Sequence, residues 1–220
     1  MKFPCIAIDG PAAVGKGTLA SRLAAHYNLA HLDSGLLYRA VAYNILKYEY
    51  DPKNTEMCVR AVNNLEITKF DFNNSTLRSE ETGKIASIIA AKSEVRKLLL
   101  NFQRDFAKCP SKNKKGTIID GRDIGTVVVP DASLKFFVTA SLHVRSQRRI
   151  EELSSKGVDT IGLNIEGEME ARDRRDTQRK ESPLRIAEDA EVIDTSELSK
   201  EEVFLVACKI IEEKLPILSL

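Results

Sequence analysis

A chain of 220 residues with 43% apolar content is long enough for one sizeable hydrophobic core, and 33 basic against 32 acidic residues leave a net charge of +1. That balance excludes a broad nucleic-acid-coating surface, and the few apolar residues before Asp9 are too short for a secretory signal. No stretch is long enough to span a membrane, and Cys5, Cys58, Cys109 and Cys208 form no C-x-x-C pair, so a cytoplasmic protein with reduced thiols and no zinc site is expected.

The first apolar run, Cys5 to Asp9, reads as a buried strand feeding Gly10-Pro11-Ala12-Ala13-Val14-Gly15-Lys16-Gly17-Thr18 and a helix from Lys16 to Tyr27. A glycine-rich turn between strand and helix aims successive backbone N–H groups at a phosphate. The helix N-terminus adds its positive dipole end, and Lys16 brings a mobile cation over the β- and γ-phosphates. A bound nucleotide is therefore expected. Gly17 stands where a hydroxyl residue usually follows the lysine. Thr18 is the candidate for Mg²⁺, through water rather than directly.

A second strand, Leu29 to Asp33, opens Ser34-Gly35-Leu36-Leu37-Tyr38-Arg39 and a helix reaching Tyr48. Ser34 is expected to cap that helix and face the ligand crevice, and Arg39 can reach back to a phosphate. The plainer alternative is a structural cap and a solvated charge. Asn63 to Lys84 is polar, with Leu65, Ile67, Phe70 and Phe72 in partial alternation, and predicts a hairpin-like insertion around Asn73-Asn74. One helix is expected from Ile85 to Lys108, followed by a solvated lysine-rich loop to Gly116.

The third strand, Thr117 to Asp120, delivers Asp120-Gly121-Arg122-Asp123-Ile124-Gly125-Thr126, an acid, an arginine and another acid at a strand end. Arg122 can clamp a transferring phosphoryl group, and a carboxylate there can orient a metal-bound water or a polar group of a substrate. A β-turn with a surface ion pair is the alternative. A strand from Leu134 to Ala140 leads to a helix, Ser141 to Lys156, bearing Arg145, Arg148 and Arg149. Downstream, Arg172, Asp176 and Arg179 fall on one helical face at i, i+4 and i+7. Alone this is a solvated face; together the two basic helices predict a closing lid. The last strand and helix are Glu191 to Asp194 and Lys200 to Lys214, while His26, His31 and His143 read as ordinary surface or helix residues. Such alternation predicts a doubly wound α/β sheet whose ligands sit beyond the carboxyl ends of the strands, where Gly10, Ser34, Gly121 and Ser141 emerge.

With the phosphate loop, Asp33-Ser34-Gly35-Leu36-Leu37-Tyr38-Arg39, Asp120 to Thr126 and Arg172-Asp173-Arg174-Arg175-Asp176 in this order, the chain resembles bacterial-type cytidylate kinases from about Cys5 to Lys214. The resemblance implies one domain over 1–220 with the P-loop nucleoside-monophosphate-kinase fold, a central five-stranded parallel sheet flanked by helices. It carries an arginine-rich lid at about 145–180 and a shortened acceptor-side insertion at 63–84. The implied activity is phosphorylation of CMP and dCMP by ATP with Mg²⁺, in a monomer with no nucleic-acid or membrane partner. Residues Gly10 to Thr18, with Arg148, would hold ATP, and Lys16 would meet the transferring phosphate. Arg39, Arg122 and Arg179 would clamp the acceptor phosphate, with Lys16, Arg122 and Arg179 catalytic. Ser34 lies on the acceptor side, Arg172 and Asp176 would bind the sugar, Asp123 and Ser87 the cytosine amino group, and Arg96 the ring.

An aspartate accepts from the amino group of cytosine and is repelled by the carbonyl oxygen of uracil, which favours CMP over UMP, and Asp123 with Ser87 argues for cytosine against the other rival acceptor, AMP. A nucleotide-dependent switch protein is the other reading, although no Asn-Lys-x-Asp guanine signature is present. Ala12, Ala13 and Val14 stand where the family commonly has Ser, Gly and Ala. Val14 is therefore expected to crowd the loop and Ala13 to remove a flexible hinge.

Overall fold

The computed structural model describes residues 3–155 and 157–218. Five strands, β1 Cys5–Asp9, β2 Ala30–Asp33, β3 Thr117–Gly121, β4 Leu134–Thr139 and β5 Glu191–Asp194, pair in parallel in the order β2-β3-β1-β4-β5. Every residue of β1 is buried, because alternate side chains feed two different cores. Ile6 and Ile8 pack with Leu19 and Leu23 of α1 (Lys16–His26) and with Ala207 and Ile211 of α8 (Lys200–Lys214). Cys5 and Ala7 face the other way, toward Ala107, Ile119, Ile124 and Val128.

A separate core joins the helices on the β2 side. Leu37, Val41 and Ile45 of α2 (Ser34–Lys47) meet Cys58 and Ala61 of α3 (Thr55–Asn63), Ile89 of α4 (Glu80–Ile89), and Val95 and Leu99 of α5 (Ser93–Lys108). The pair α6 (Leu142–Ser155) and α7 (Ile165–Gln178) is joined by a slender seam of Leu153, Ile165 and Met169.

Three elements differ from the sequence-based expectation. The region 63–84 contains no hairpin; after α3 it makes two short 3₁₀ turns, Ile67–Lys69 and Ser75–Arg78, and then enters α4. Asp71 and Asn74 accept hydrogen bonds from the amides of Asn73 and Thr76, and these local turns compete with strand pairing. Phe70 and Phe72 pack against the helical core instead. The single helix expected from Ile85 to Lys108 is two. Ser79 caps α4 by accepting from Thr82 N–H, and the chain breaks at Lys92, which is extended and donates its Nζ to Lys53 O and Thr55 Oγ1. Arg179 is not on the α7 face; it is the extended residue that ends the helix.

The phosphate loop is shaped by close approach. A Cβ on Gly10 would lie 2.1 Å from Val138 O, so the end of β1 can run against β4 only as glycine. Gly15 opens α1 at φ 87° with open space beside it. Val14 does not crowd the loop, since it is 2% exposed and packs down into the main core. Ala13 takes φ 60°, a left-handed conformation costing roughly 1 kcal/mol where glycine would be unstrained.

Candidate active site

The carboxyl ends of β1, β2 and β3 open into one cavity of about 560 Å³, closed on the far side by α4, α6 and α7. Eight basic side chains line it against five acidic ones, an excess suited to a polyanion. Ala12, Ala13, Lys16 and Gly17 form the loop wall, and Asp33, Arg39, Ser87, Asp120, Arg122 and Arg172 stand around it. Lys16 lies back along the loop with Nζ donating to Pro11 O at 3.1 Å. Thr18 is exposed in the first turn of α1 and is not part of the cavity wall.

The cap of α2 is Asp33 rather than Ser34, because Asp33 Oδ1 accepts from Leu36 N–H at 3.2 Å. Ser34 is 5% exposed and lies against Gly121, where a Cβ would come within 2.5 Å of Ser34 Oγ. Close passage of β3 past α2 therefore depends on that glycine. Arg39 donates Nη1 to Leu77 O at 2.6 Å and Ser79 O at 3.1 Å, which pins the insertion to the cavity rim. His31 is not an ordinary surface residue: from β2 its Nε2 lies 2.8 Å from Asp120 Oδ1. Parallel pairing sets His31 beside Ile118 and Asp33 beside Asp120, a proximity that spacing along the chain does not reveal.

Beside the cavity runs a buried chain of alternating charge. Arg96 Nη2 makes a short contact with Asp123 Oδ2, Arg179 Nη2 lies 3.8 Å from Asp123 Oδ1, and Arg179 Nη1 lies 3.9 Å from Asp176 Oδ1. Arg122 Nε closes the chain on Asp176 Oδ2 at 3.0 Å. Arg96 also donates to Ala90 O, and Tyr38 packs its ring 5.6 Å from the Arg96 guanidinium carbon. Burial would raise the Asp176 carboxyl, but Arg122, Arg172 and Arg179 outweigh it and hold the group below its usual range. Two guanidinium nitrogens, Arg172 Nε and Arg179 Nη2, are buried without a hydrogen-bond partner among the described residues.

The arginines of α6 have divided roles. Arg145 is buried, bonded to Asp173 Oδ2 at 2.6 Å and to Ala140 O at 3.0 Å, and holds α6 against α7. Arg148 donates to Thr195 Oγ1 and Thr195 O, and the Thr195 hydroxyl lies 3.4 Å from Val14 O, linking α6 to the glycine-rich loop. Arg149 is on the cavity wall, paired with Glu80 at 3.2 Å and Glu152 at 2.9 Å. Arg175 is also there, its Nε 3.4 Å from Ser87 Oγ, and Lys84 joins Glu168 at 3.0 Å. These contacts join α6 and α7 to α4. Arg175 was not singled out in the sequence, although it follows Arg172 by three residues and so shares its helical face.

Burial, reinforced by the Arg122 charge, pushes the Lys16 ammonium down to about 7, against the pull of Asp120 and Asp33. Arg172 is lowered to about 10 by burial and then by Arg122. Asp33 is raised by burial and by the Asp120 carboxylate. The site is thus a cluster of cations crowded together, in which an arriving anion relieves repulsion.

The sequence model of the cytidylate kinase family matches residues 6–213. A cytidylate kinase of Granulibacter bethesdensis is 49% identical over 211 residues, covering 96% of this chain and 98% of that one. One of Bartonella tribocorum is 45% identical over 212 residues, covering 96% of each. Among solved structures, a shikimate kinase of Bacteroides thetaiotaomicron superimposes with a TM-score of 0.52 at 15% identity, over 96% of this chain and 98% of that one, a likeness of fold.

Proposed function

Because the chain belongs to the cytidylate kinase family, and so is a phosphotransferase that phosphorylates CMP and dCMP from ATP, we propose that its cavity is a two-nucleotide transfer site. The observation that carries this reading is the cationic cavity placed between the phosphate loop and Arg122, walled by Arg172, whose buried Nε has no hydrogen-bond partner among the described residues. In it the loop from Gly10 to Thr18 holds the donor, with Lys16 swinging from Pro11 O onto the transferring phosphate. Arg39, Arg122 and Arg179 hold the acceptor phosphate, and Arg149 and Arg175 join them from the lid. Asp123, Ser87 and Arg96 read the base, while Arg172 and Asp176 take the sugar.

The acceptor oxygen is already anionic, so in-line attack needs positioning and charge rather than a general base. These arginines bring two polyanions together, and the lid excludes water that would otherwise take the phosphoryl group. The cavity offers Asp33 and Asp120 beside Lys16 and Gly17, hard oxygen donors that suit Mg²⁺. No group of three or more metal-ligating side chains forms among the described residues, which fits an ion carried in largely by the nucleotide with its waters. The ion would supply charge neutralisation on the donor phosphates. No helix among the described residues is long and apolar enough to cross a membrane, and a cytoplasmic site of action fits both nucleotides.

ADP release from ATP with CMP, dCMP, UMP and AMP in turn tests the reading. The cytidine acceptors should be preferred, and preference for UMP or AMP would overturn it. A second expected result concerns Lys16. Its pKa of about 7 in the unliganded site means that it is largely neutral at pH 8, whereas the donor phosphates favour the cation. Binding of an ATP analogue at pH 8 should therefore take up a proton, approaching one, and the uptake should fade toward pH 6. Calorimetry in buffers of different ionisation enthalpy measures this directly.

A further inference from the structure

Asp9 is the last residue of β1 and stands immediately before the phosphate loop, so its place in the chain associates it with the donor nucleotide. Its side chain turns elsewhere. One carboxylate oxygen accepts from Ile124 N–H at 2.8 Å and the other from Gly125 N–H at 2.7 Å. Those amides belong to the first residues of the π-type turn Ile124–Val128, directly after Arg122 and Asp123. Asp9 is 4% exposed, and burial pushes its carboxyl up to about 7 even though both amides pull it back. A carboxylate is an expensive group to bury on neutral partners, and an apolar residue would serve packing at lower cost. What a carboxylate provides is two acceptors on one rigid plane, which fix both the position and the rotation of the backbone it grips. Gly125 allows the approach: a Cβ there would lie 3.0 Å from Lys135 Cδ and 3.5 Å from Asp9 Oδ2.

We propose that Asp9 is a positioning residue for the acceptor nucleotide, setting Arg122 and Asp123 through the Ile124 and Gly125 amides while leaving ATP binding largely untouched. The inference rests on the reading of Arg122 and Asp123 as acceptor contacts given above. Asp9→Asn keeps the volume but places an NH₂ against one of the two amides, so one bond is lost and the turn is free to rotate. Displacement of a clamp by about 1 Å can cost up to about a hundredfold, so the KM for CMP is expected to rise about tenfold or more. The CMP-to-UMP ratio of kcat/KM should fall with it, and the KM for ATP should stay within about twofold of wild type. Gly125→Ala presses on the same turn through the buried Lys135 side chain with the Asp9 carboxylate kept, and should give the same split.

Calorimetric binding of CMP alone and of a non-hydrolysable ATP analogue alone reads the split without turnover, and Gly125→Ala keeps the test available if Asp9→Asn does not fold. Equal losses on both nucleotides, or no loss on either in a folded variant, would overturn the proposal. Wild-type activity on each acceptor is measured first. No transfer to CMP there would overturn the reading of the site together with this inference. A wild-type CMP kinase with unsplit variants overturns the inference alone.

Discussion

Lys16→Ala is expected to lower kcat/KM by about a thousandfold or more while leaving the fold intact. Loss of a single preorganised donor typically costs about 10²–10³ in kcat, and loss of a cation that meets the transferring phosphoryl group about 10³–10⁵. Stability should not suffer, for reasons the structure makes specific. Lys16 makes a single hydrogen bond, to Pro11 O, and burial together with the repulsion of Arg122 and Arg172 outweighs the attraction of Asp120 and Asp33 on its ammonium. Alanine is also the best helix former at the head of α1. The melting temperature should therefore be unchanged or slightly raised. The KM for CMP should stay close to wild type, because the lost contact lies on the donor side. Steady-state kinetics and thermal unfolding on the same preparation check both halves. Activity within about tenfold of wild type would remove Lys16 from the transfer step.

Much of the donor side was legible in the sequence because one short segment carries it. β1, the loop and α1 are contiguous from Cys5 to His26, and their glycines and lysine act through local backbone geometry. The five parallel strands were visible for a similar reason, as short apolar runs ending in small or acidic residues. The region from Thr55 to Lys92 was not, since its elements depend on competition between local turns and distant packing. Ser79 starts α4, Lys92 breaks it by reaching Lys53 and Thr55, and Phe70 and Phe72 find the helical core rather than each other's strand. The polar contacts were hidden more thoroughly. Asp33 beside Asp120, and His31 bonded to Asp120, follow from β2 and β3 being neighbours, and Arg122 reaches Asp176 only because α7 folds over β3. The stripe of Arg172, Asp176 and Arg179 survives as chemistry but not as a helical face, because the helix ends at Gln178.

Asp123→Asn should have two separable effects, and the buried charge chain explains why. Asp123 is 5% exposed and stands between Arg96 and Arg179. Removing its charge leaves those guanidinium groups with Asp176 alone nearby, at 3.9 Å from Arg179. Breaking a buried pair costs about 3–5 kcal/mol, and the amide oxygen can still accept from Arg96, so a loss near the lower end, about 3 kcal/mol, is expected. Base selection should change independently. Asp123 Oδ2 is committed to Arg96, whereas Oδ1 has only the longer approach of Arg179 at 3.8 Å, and is thus the oxygen free to accept from a cytosine amino group. With the asparagine oxygen on Arg96, its NH₂ takes the Oδ1 position and donates, so it suits the carbonyl oxygen of uracil and no longer accepts from the cytosine amino group. A well-placed pairing is worth about 1–3 kcal/mol of discrimination, so the CMP-to-UMP ratio of kcat/KM should fall roughly tenfold to a hundredfold. Arg96→Gln combined with Asp123→Asn removes the stranded cation as well as the carboxylate, and should recover part of the stability without restoring the ratio. Thermal unfolding reads the first effect and paired kinetics below the variants' melting temperatures read the second. Recovery of selectivity along with stability in the double variant would mean that Asp123 acts only by neutralising Arg96, and would take base reading away from it.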